Sequence, residues 1–384
     1  MTAARTAGGA STTAVAKPAV AASGVAAPGP VAPGAVATGA WTGERRFLAA
    51  SRREPADTTP IWFMRQAGRA SPGYEAMRER HSVMEIATTP ELCAQASLLP
   101  VEAFGVDAAV LFADIMMPLV PMGVALELTA EGPVIERPLR SAADVARLRR
   151  IVVASELRHV TEAIGLVRRS LAGRAAVIGL AGGPFTLAAY LIEGKPSRDQ
   201  ARAKALMYGD PATWHALLAL LADVTADYLQ AQVDAGAQAV QLFDSWAGSL
   251  SAVDYREYVA PHARRILRSV TGAATIHFGT GTEGLLEVMA EAGGDVIGVD
   301  SRQSLASAWT RVPDRGIQGN LDGARLLAGW DATEAGASAV LAEAAGRPGH
   351  IFNLGHGIAP ETDPAIARRL VELVHAEGKP EIAA

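Results

Sequence analysis

Arg65 and Arg69 stand on either side of Gln66-Ala67-Gly68, directly after a short apolar run from Ile61 to Met64. A guanidinium stays charged at any physiological pH and presents a rigid fork of donors matched to carboxylate or phosphate. Gly68 allows the backbone between the two arginines a close approach. The pair therefore reads as an anion clamp at the mouth of a strand. The plainer reading is the basic start of a helix, with surface ion pairs to Glu75 and Glu79. In isolation that spacing favours the plainer reading. What the rest of the chain sets beside the arginines has to decide.

Asp114, in LFADI, is followed by apolar Ile115, Met116 and Met117, so no local cation neutralises it. Such a carboxylate needs a distant cation or a ligand with donors, unless it caps the turn that follows. Tyr190, in LAGGPFTLAAYLIEG, lies on an apolar helix face and reads first as core. LFDSWAG offers Asp244 and Ser245, and Ser245 equally suits a turn cap. His277, inside an apolar run, reads as a hydrogen-bonded core histidine. Asp300, Asn320, Asp322 and Asn353 follow other apolar runs. His356 lies between Gly355 and Gly357, which strip steric cover from its ring. Arginines dominate this set, so its ligand is expected to be a polyanion. Asp114 would need donors on that same ligand, which points to a polycarboxylate or phosphate that also carries N–H or ammonium groups. No HExxH or CxxC is present and Cys93 is the single cysteine, so no metal is expected.

The elements that must hold these residues alternate regularly. Strands are predicted at Pro60–Met64, Ala108–Phe112, Ala175–Leu180, Ala239–Phe243, Thr275–Phe278, Asp295–Val299, Gly316–Gln318 and His350–Asn353. Helices are predicted between them, among them Pro211–Ala235, Ala252–Val270, Gly284–Ala292 and Pro364–Glu377. Continuous apolar runs suit parallel strands covered on both faces. Eight such units predict an α/β chain folded as a single (β/α)8 barrel, whose chemistry collects at the C-terminal ends of the strands. The rival, an open doubly wound sheet, would carry a GxGxxG turn after its first strand, and none follows Met64. Residues 116 to 138, with three internal prolines, read as an excursion after the second strand, a small hairpin over the barrel mouth.

Residues 1 to 40 are rich in Ala, Gly, Pro and Thr and are expected to be a disordered tail before a barrel domain spanning 41 to 384; a transit peptide is the alternative. The 384 residues carry 49% hydrophobic and 20% charged side chains and a net charge of −5. That balance argues against nucleic acid as a main partner, no run is apolar enough to span a membrane, and the cysteine usage suits the cytoplasm.

Taken together, WFMRQAGR at 62–69, LFADI at 111–115, GLAGGPFTLAAYLIEG at 179–194, GAQAVQLFDSWAG at 236–248, HFGTGT at 277–282, QGNLD at 318–322 and NLGHGIAPETDP at 353–364 resemble the uroporphyrinogen decarboxylase family. The resemblance implies a distorted (β/α)8 barrel, a homodimer, and decarboxylation of the four acetates of uroporphyrinogen III without metal or prosthetic group. It implies that Arg65 and Arg69 grip substrate carboxylates and that Asp114 accepts hydrogen bonds from pyrrole N–H groups. Tyr190, Ser245 and His356 would complete the contacts, with the backbone of Gln66, Ala67 and Gly68 along the pocket wall. Asp114, Arg65, Tyr190 and His356 form the implied catalytic set, with the identity of the proton donor open. The chain departs from the family pattern at Ala70, Ser71, Gly73, Ser301 and Gly323, and the first three are expected to loosen the loop after the clamp. Related zinc-dependent methyltransferases carry an HxC motif, whereas His277 precedes Phe278-Gly279 and no later cysteine exists. A non-catalytic tetrapyrrole carrier is the remaining alternative; it would have no need of a carboxylate at Asp114.

Overall fold

In the computed structural model the described residues are 39–68, 70, 71, 73–129 and 132–380. Arg69 and all but the last two residues of the expected tail lie outside them. Among the described residues nine strands form: β1 (Ala108–Val110), β2 (Leu126–Thr129), β3 (Gly132–Ile135), β4 (Ala176–Gly182), β5 (Ala239–Phe243), β6 (Ala274–Phe278), β7 (Val296–Gly298), β8 (Gly316–Leu321) and β9 (His350–Leu354). Seven of them make one parallel sheet in the order β1-β4-β5-β6-β7-β8-β9. Helices follow the strands and cover the sheet, and β4, β8 and β9 are buried along their whole length. This is the distorted barrel that the alternation of elements predicts.

The first predicted strand, Pro60–Met64, does not form one. Among the described residues its only ladder contact is a parallel bridge between Ile61 and Phe352. Side chains hold the rest of it in the wall. Toward β9, the Phe352 N–H donates to Pro60 O at 2.8 Å, while Asn353 Oδ1 accepts the N–H groups of Met64 (3.1 Å) and Leu354 (2.8 Å). Toward β1, the Asp107 carboxylate accepts the Ile61 N–H at 2.8 Å and also binds His375 (2.7 Å) and Arg46 (3.4 Å). From inside the barrel, Gln318 accepts the Trp62 indole N–H at 3.0 Å and itself donates to Gln241 at 3.0 Å. The segment is buried throughout and closes the barrel between β9 and β1.

The second strand is also shorter than predicted. β1 pairs with β4 only from Ala108 to Val110, and the two then part. The Phe112 N–H donates to Ser97 Oγ at 2.8 Å, and its carbonyl accepts from Cys93 Sγ at 3.2 Å, both on the helix Pro90–Phe104. Across the gap the Leu180 backbone, which would have paired with β1, is taken at both its N–H and C=O by the Gln232 amide of the helix Pro211–Asp234. The barrel wall is thus split at its upper end between β1 and β4. Through that split runs the expected excursion, in which β2 and β3 form an antiparallel hairpin. Ile135 and Leu139 tie it to the end of the helix Pro184–Glu193 through Gly194 O (2.7 Å) and Leu191 O (2.8 Å).

The predicted helix Ala252–Val270 is two helices, Ala252–Tyr258 and Ala260–Ser269, with Pro261 in the first turn of the second. Proline is tolerated there because that N–H has no partner within the helix. Pro364–Glu377 forms as predicted. Among the described residues no helix is long and apolar enough to cross a membrane.

Because Asn353 stands in for ladder bonds, Asn353→Leu should leave the buried Met64 and Leu354 N–H groups without their acceptor and cost about 2 to 4 kcal/mol. Urea unfolding would measure this, and a loss below about 0.5 kcal/mol would show that the closure does not depend on the side chain.

Candidate active site

Arg65 ends the closing segment and adopts a left-handed φ of 62°, uncommon for a residue with a side chain. The chain turns there into a short 3-10 helix, Gln66–Gly68, rather than an α-helix start. Among the described residues no ion pair joins Arg65 to Glu75 or Glu79. Gln66 is fully buried, and its side chain points inward: it accepts the Phe63 N–H and donates to Ala108 O, both at 2.8 Å. Ala67 is buried too, and Gly68 packs against the Phe112 ring. The expected loosening after the clamp is not found at Ser71, which is buried and donates its hydroxyl to Gln66 O at 2.9 Å.

Asp114 stands where β1 has peeled away from β4. Its Oδ1 accepts the Met116 N–H at 2.8 Å, and its carbonyl accepts the Met117 N–H at 3.1 Å. It caps the following turn, as the structural reading of the sequence allowed, yet its charge is not neutralised there. Burial pushes the carboxyl above the usual carboxylate range, while the Met116 N–H and then the Arg65 guanidinium pull it back down. Tyr190 reports the same grouping: burial and Asp114 push its phenol up to about 12, and Arg65 opposes them. Arg65, Asp114 and Tyr190, which the sequence holds far apart, are within electrostatic reach of one another. The half-buried Tyr190 packs on the core and stacks on Trp246 with ring centroids 4.0 Å apart.

Ser245 lies half-buried next to Trp246, and its carbonyl accepts the Thr280 hydroxyl at 2.6 Å. His356 is exposed two residues after β9. Its flanking glycines have a further reason. A Cβ on Gly357 would lie 2.5 Å from Arg65 Cδ, and one on Gly355 2.2 Å from the Ser301 N. The glycines make room for Arg65 and for the chain after β7, and the ring between them is exposed. Arg69 lies outside the described residues.

The other strand-end polar groups are structural. His277 is fully buried and held down to about 4 by desolvation; its Nδ1–H donates to Met289 O and its Nε2 accepts from the Tyr255 hydroxyl, both at 3.3 Å. It is the core histidine that the sequence suggested. Asp300 receives the Gly281 N–H, the Arg302 N–H (3.0 Å) and the Arg302 Nε–H (2.9 Å). Asn320 donates to Asp300 O at 2.9 Å, and Asp322 caps Ala324. Sequence reading passed over Trp246 and Thr186, although the tryptophan sits in the quoted LFDSWAG run. Among the described residues no group of three or more His, Cys, Asp or Glu side chains could hold a metal ion.

A family model described as uroporphyrinogen decarboxylase (URO-D) matches residues 42–377. The chain belongs to the uroporphyrinogen decarboxylase family. The uroporphyrinogen decarboxylase of Sorangium cellulosum is 52% identical over 335 residues, 86% of this chain and 96% of the relative. That of Thermus thermophilus is 50% identical over 330 residues, covering 85% and 96%. Among solved structures a methyltransferase from Methanosarcina mazei superposes with a TM-score of 0.70, covering 88% of this chain and 99% of that one at 22% identity. That likeness is one of fold. A B12-independent methionine synthase from Shewanella sp. shares the fold more loosely, with a TM-score of 0.53 at 11% identity, covering 84% and 95%.

The opposed influences on Asp114 give a prediction that needs no turnover. In a carbon-13 titration of labelled aspartates, Asp114 should titrate above the ordinary midpoint of about 4. Desolvation raises it and Arg65 lowers it, so Arg65→Ala should move the midpoint further up. The carboxylate would then be lost at a higher pH as acidity increases. A midpoint indifferent to Arg65→Ala would uncouple the pair.

Proposed function

We propose that the protein is a cofactor-independent carboxy-lyase that converts uroporphyrinogen III to coproporphyrinogen III by removing its four acetate carboxyls in turn. The observation that carries the reading is the convergence of Arg65, Asp114 and Tyr190 where the barrel wall splits. A guanidinium there suits a substrate carboxylate, and a desolvated carboxylate beside it suits ring N–H donors and a developing positive charge.

Each cycle exchanges carbon dioxide for a proton. A pyrrole carbon takes up a proton and the ring becomes cationic. The C–C bond to the acetate carboxylate then breaks, and its electron pair flows into the ring as carbon dioxide leaves. A second proton converts the resulting exocyclic methylene to methyl, and the ring proton is returned. The substrate is its own electron sink, so the protein's task is to stabilise the cation. In this reading Asp114 does so through the pyrrole N–H groups. Arg65 and Arg69 hold carboxylates, and Ser245 and the Gln66–Gly68 backbone line the wall. Tyr190, pushed up to about 12, is too weak an acid to protonate a pyrrole carbon at neutral pH, and a guanidinium is a poor general acid at any physiological pH. His356, whose side-chain type titrates near neutrality, is the remaining proton source among the named residues. The same reading carries a cytoplasmic homodimer, which sedimentation would test.

Anaerobically prepared uroporphyrinogen III should lose carboxylates stepwise to the four-carboxylate product, followed by chromatography, with chelators leaving the rate unchanged. Asp114→Asn should keep the fold and lower kcat by about 100-fold or more. Binding without any carboxylate loss in the wild type would favour a carrier instead. Wild-type turnover in Asp114→Asn would remove the electrostatic role.

A further inference from the structure

One strand-end carboxylate has no place in the chemistry above and is not an ordinary structural pair either. Asp244 follows β5 and is fully buried. A Cβ on Gly183 would lie 2.4 Å from the Asp244 Cβ, so the glycine turn after β4 is pressed directly onto it. No substrate reaches this carboxyl. Its Oδ1 accepts two bonds from Thr186, from the N–H at 2.9 Å and from the hydroxyl at 2.8 Å. Its Oδ2 is buried with no hydrogen-bond partner among the described residues. Burial pushes the carboxyl up to about 6, against the pull of the Thr186 and Phe185 donors.

Thr186 is in the first turn of the helix Pro184–Glu193, which also carries Tyr190. A carboxylate from another strand therefore caps this helix, where its charge also meets the positive end of the helix dipole. The Thr186 hydroxyl has a second duty: it accepts the Trp246 backbone N–H at 3.1 Å. One hydroxyl thus joins the turn after β5, which bears Trp246, to the helix bearing Tyr190. The rings of those two residues are the ones that stack at 4.0 Å, inclined by 30°.

We propose that Asp244 is the positioning residue of this site, and that through the Thr186 hydroxyl it fixes the Tyr190–Trp246 stack as a rigid aromatic wall beside Asp114. The part of this that concerns turnover rests on the decarboxylase reading. A buried polar relay suits such a task. Thr186 reaches Asp244 at Oδ1 and the Trp246 N–H at once, so neither the turn nor the helix end can shift without breaking a bond inside the core.

Thr186→Ala and Thr186→Ser isolate the hydroxyl: both are small, and only serine keeps the relay. Stacked Tyr190 and Trp246 rings should give an exciton couplet in far-ultraviolet circular dichroism, assigned by its loss in Trp246→Phe. Thr186→Ala should lose the couplet and lower kcat on uroporphyrinogen about tenfold with KM within about twofold, and Thr186→Ser should restore both. The couplet is read without substrate. If wild-type protein does not turn over uroporphyrinogen, the functional reading fails while the couplet still decides whether the wall depends on the relay. A couplet unchanged in Thr186→Ala, or lost equally in Thr186→Ser, overturns the proposal. So does a couplet lost with no change in kcat, because the wall would then not position the chemistry.

Discussion

The barrel depends on a wall element that is not a strand. Pro60–Met64 must lie between β9 and β1 to close the sheet, and it must also deliver Arg65 in a left-handed conformation that ends any regular ladder. Side chains resolve the conflict. Asn353 and Asp107 supply acceptors where neighbouring backbone would have done so, and Gln66 folds back to stitch the turn to Ala108. Each replacement fixes the backbone without asking it to stay extended. The Trp62–Gln318–Gln241 chain then locks the segment from inside the barrel. A strand with a full ladder would hold more strongly, but it would carry Arg65 straight on instead of turning it across Gly357.

The second departure from a regular barrel sits next to the first. Where β1 and β4 part, unpaired backbone would be a liability, and helices supply the partners: Ser97 and Cys93 for Phe112, Gln232 for Leu180. The consequence is electrostatic. Asp114 emerges into a gap lined by apolar and weakly polar groups, with the buried Tyr228 and Cys93 on helices behind the wall. Burial raises the Cys93 thiol to about 12 and pushes the Tyr228 phenol up as well, so neither carries charge at neutral pH. In such surroundings a carboxylate interacts strongly with the few charges it can reach, and Arg65 is the cation that counters its desolvation.

Much of the architecture is legible in the sequence because parallel strands covered on both faces must be apolar throughout. Seven of the eight predicted strands form, and the alternation identifies the barrel. The failures are at Pro60–Met64 and at the upper end of β1, and they share a cause. Both stretches are apolar and strand-like locally, but their pairing is decided by polar side chains far away in the chain, at Asn353, Asp107 and Gln232. No local pattern marks an asparagine as a substitute for a ladder. The site divides in the same way. Arg65 and Asp114 announce themselves because a charge after an apolar run is costly unless it is used. Thr186 and Trp246 do not, since a threonine in a helix and a tryptophan after a strand have ordinary explanations. The glycines about His356 have a further reason that no local pattern shows, the close approach of Arg65 and of the chain at Ser301.

Three aspartates that end strands at this face show how the protein separates structure from function with one residue type. Asp300 spends its carboxylate on Gly281 and Arg302, the second of which is a full counter-charge. Asp244 is sealed under a glycine turn and bound to Thr186, neutral donors that leave its carboxyl at about 6. Asp114 has one backbone donor and an arginine that arrives from a different wall element. The last leaves a half-buried carboxyl whose desolvation is opposed by a backbone N–H and a guanidinium. A carboxylate paired as closely as Asp300 has little left to offer a ligand, and one buried as deeply as Asp244 cannot meet one. Asp114 is in neither position: it is half-buried, and Arg65, which opposes its desolvation, is itself exposed. The split in the wall and the turn at Arg65 thus act on one carboxyl: Asp114 stands at the first, and the second carries the guanidinium that opposes its desolvation.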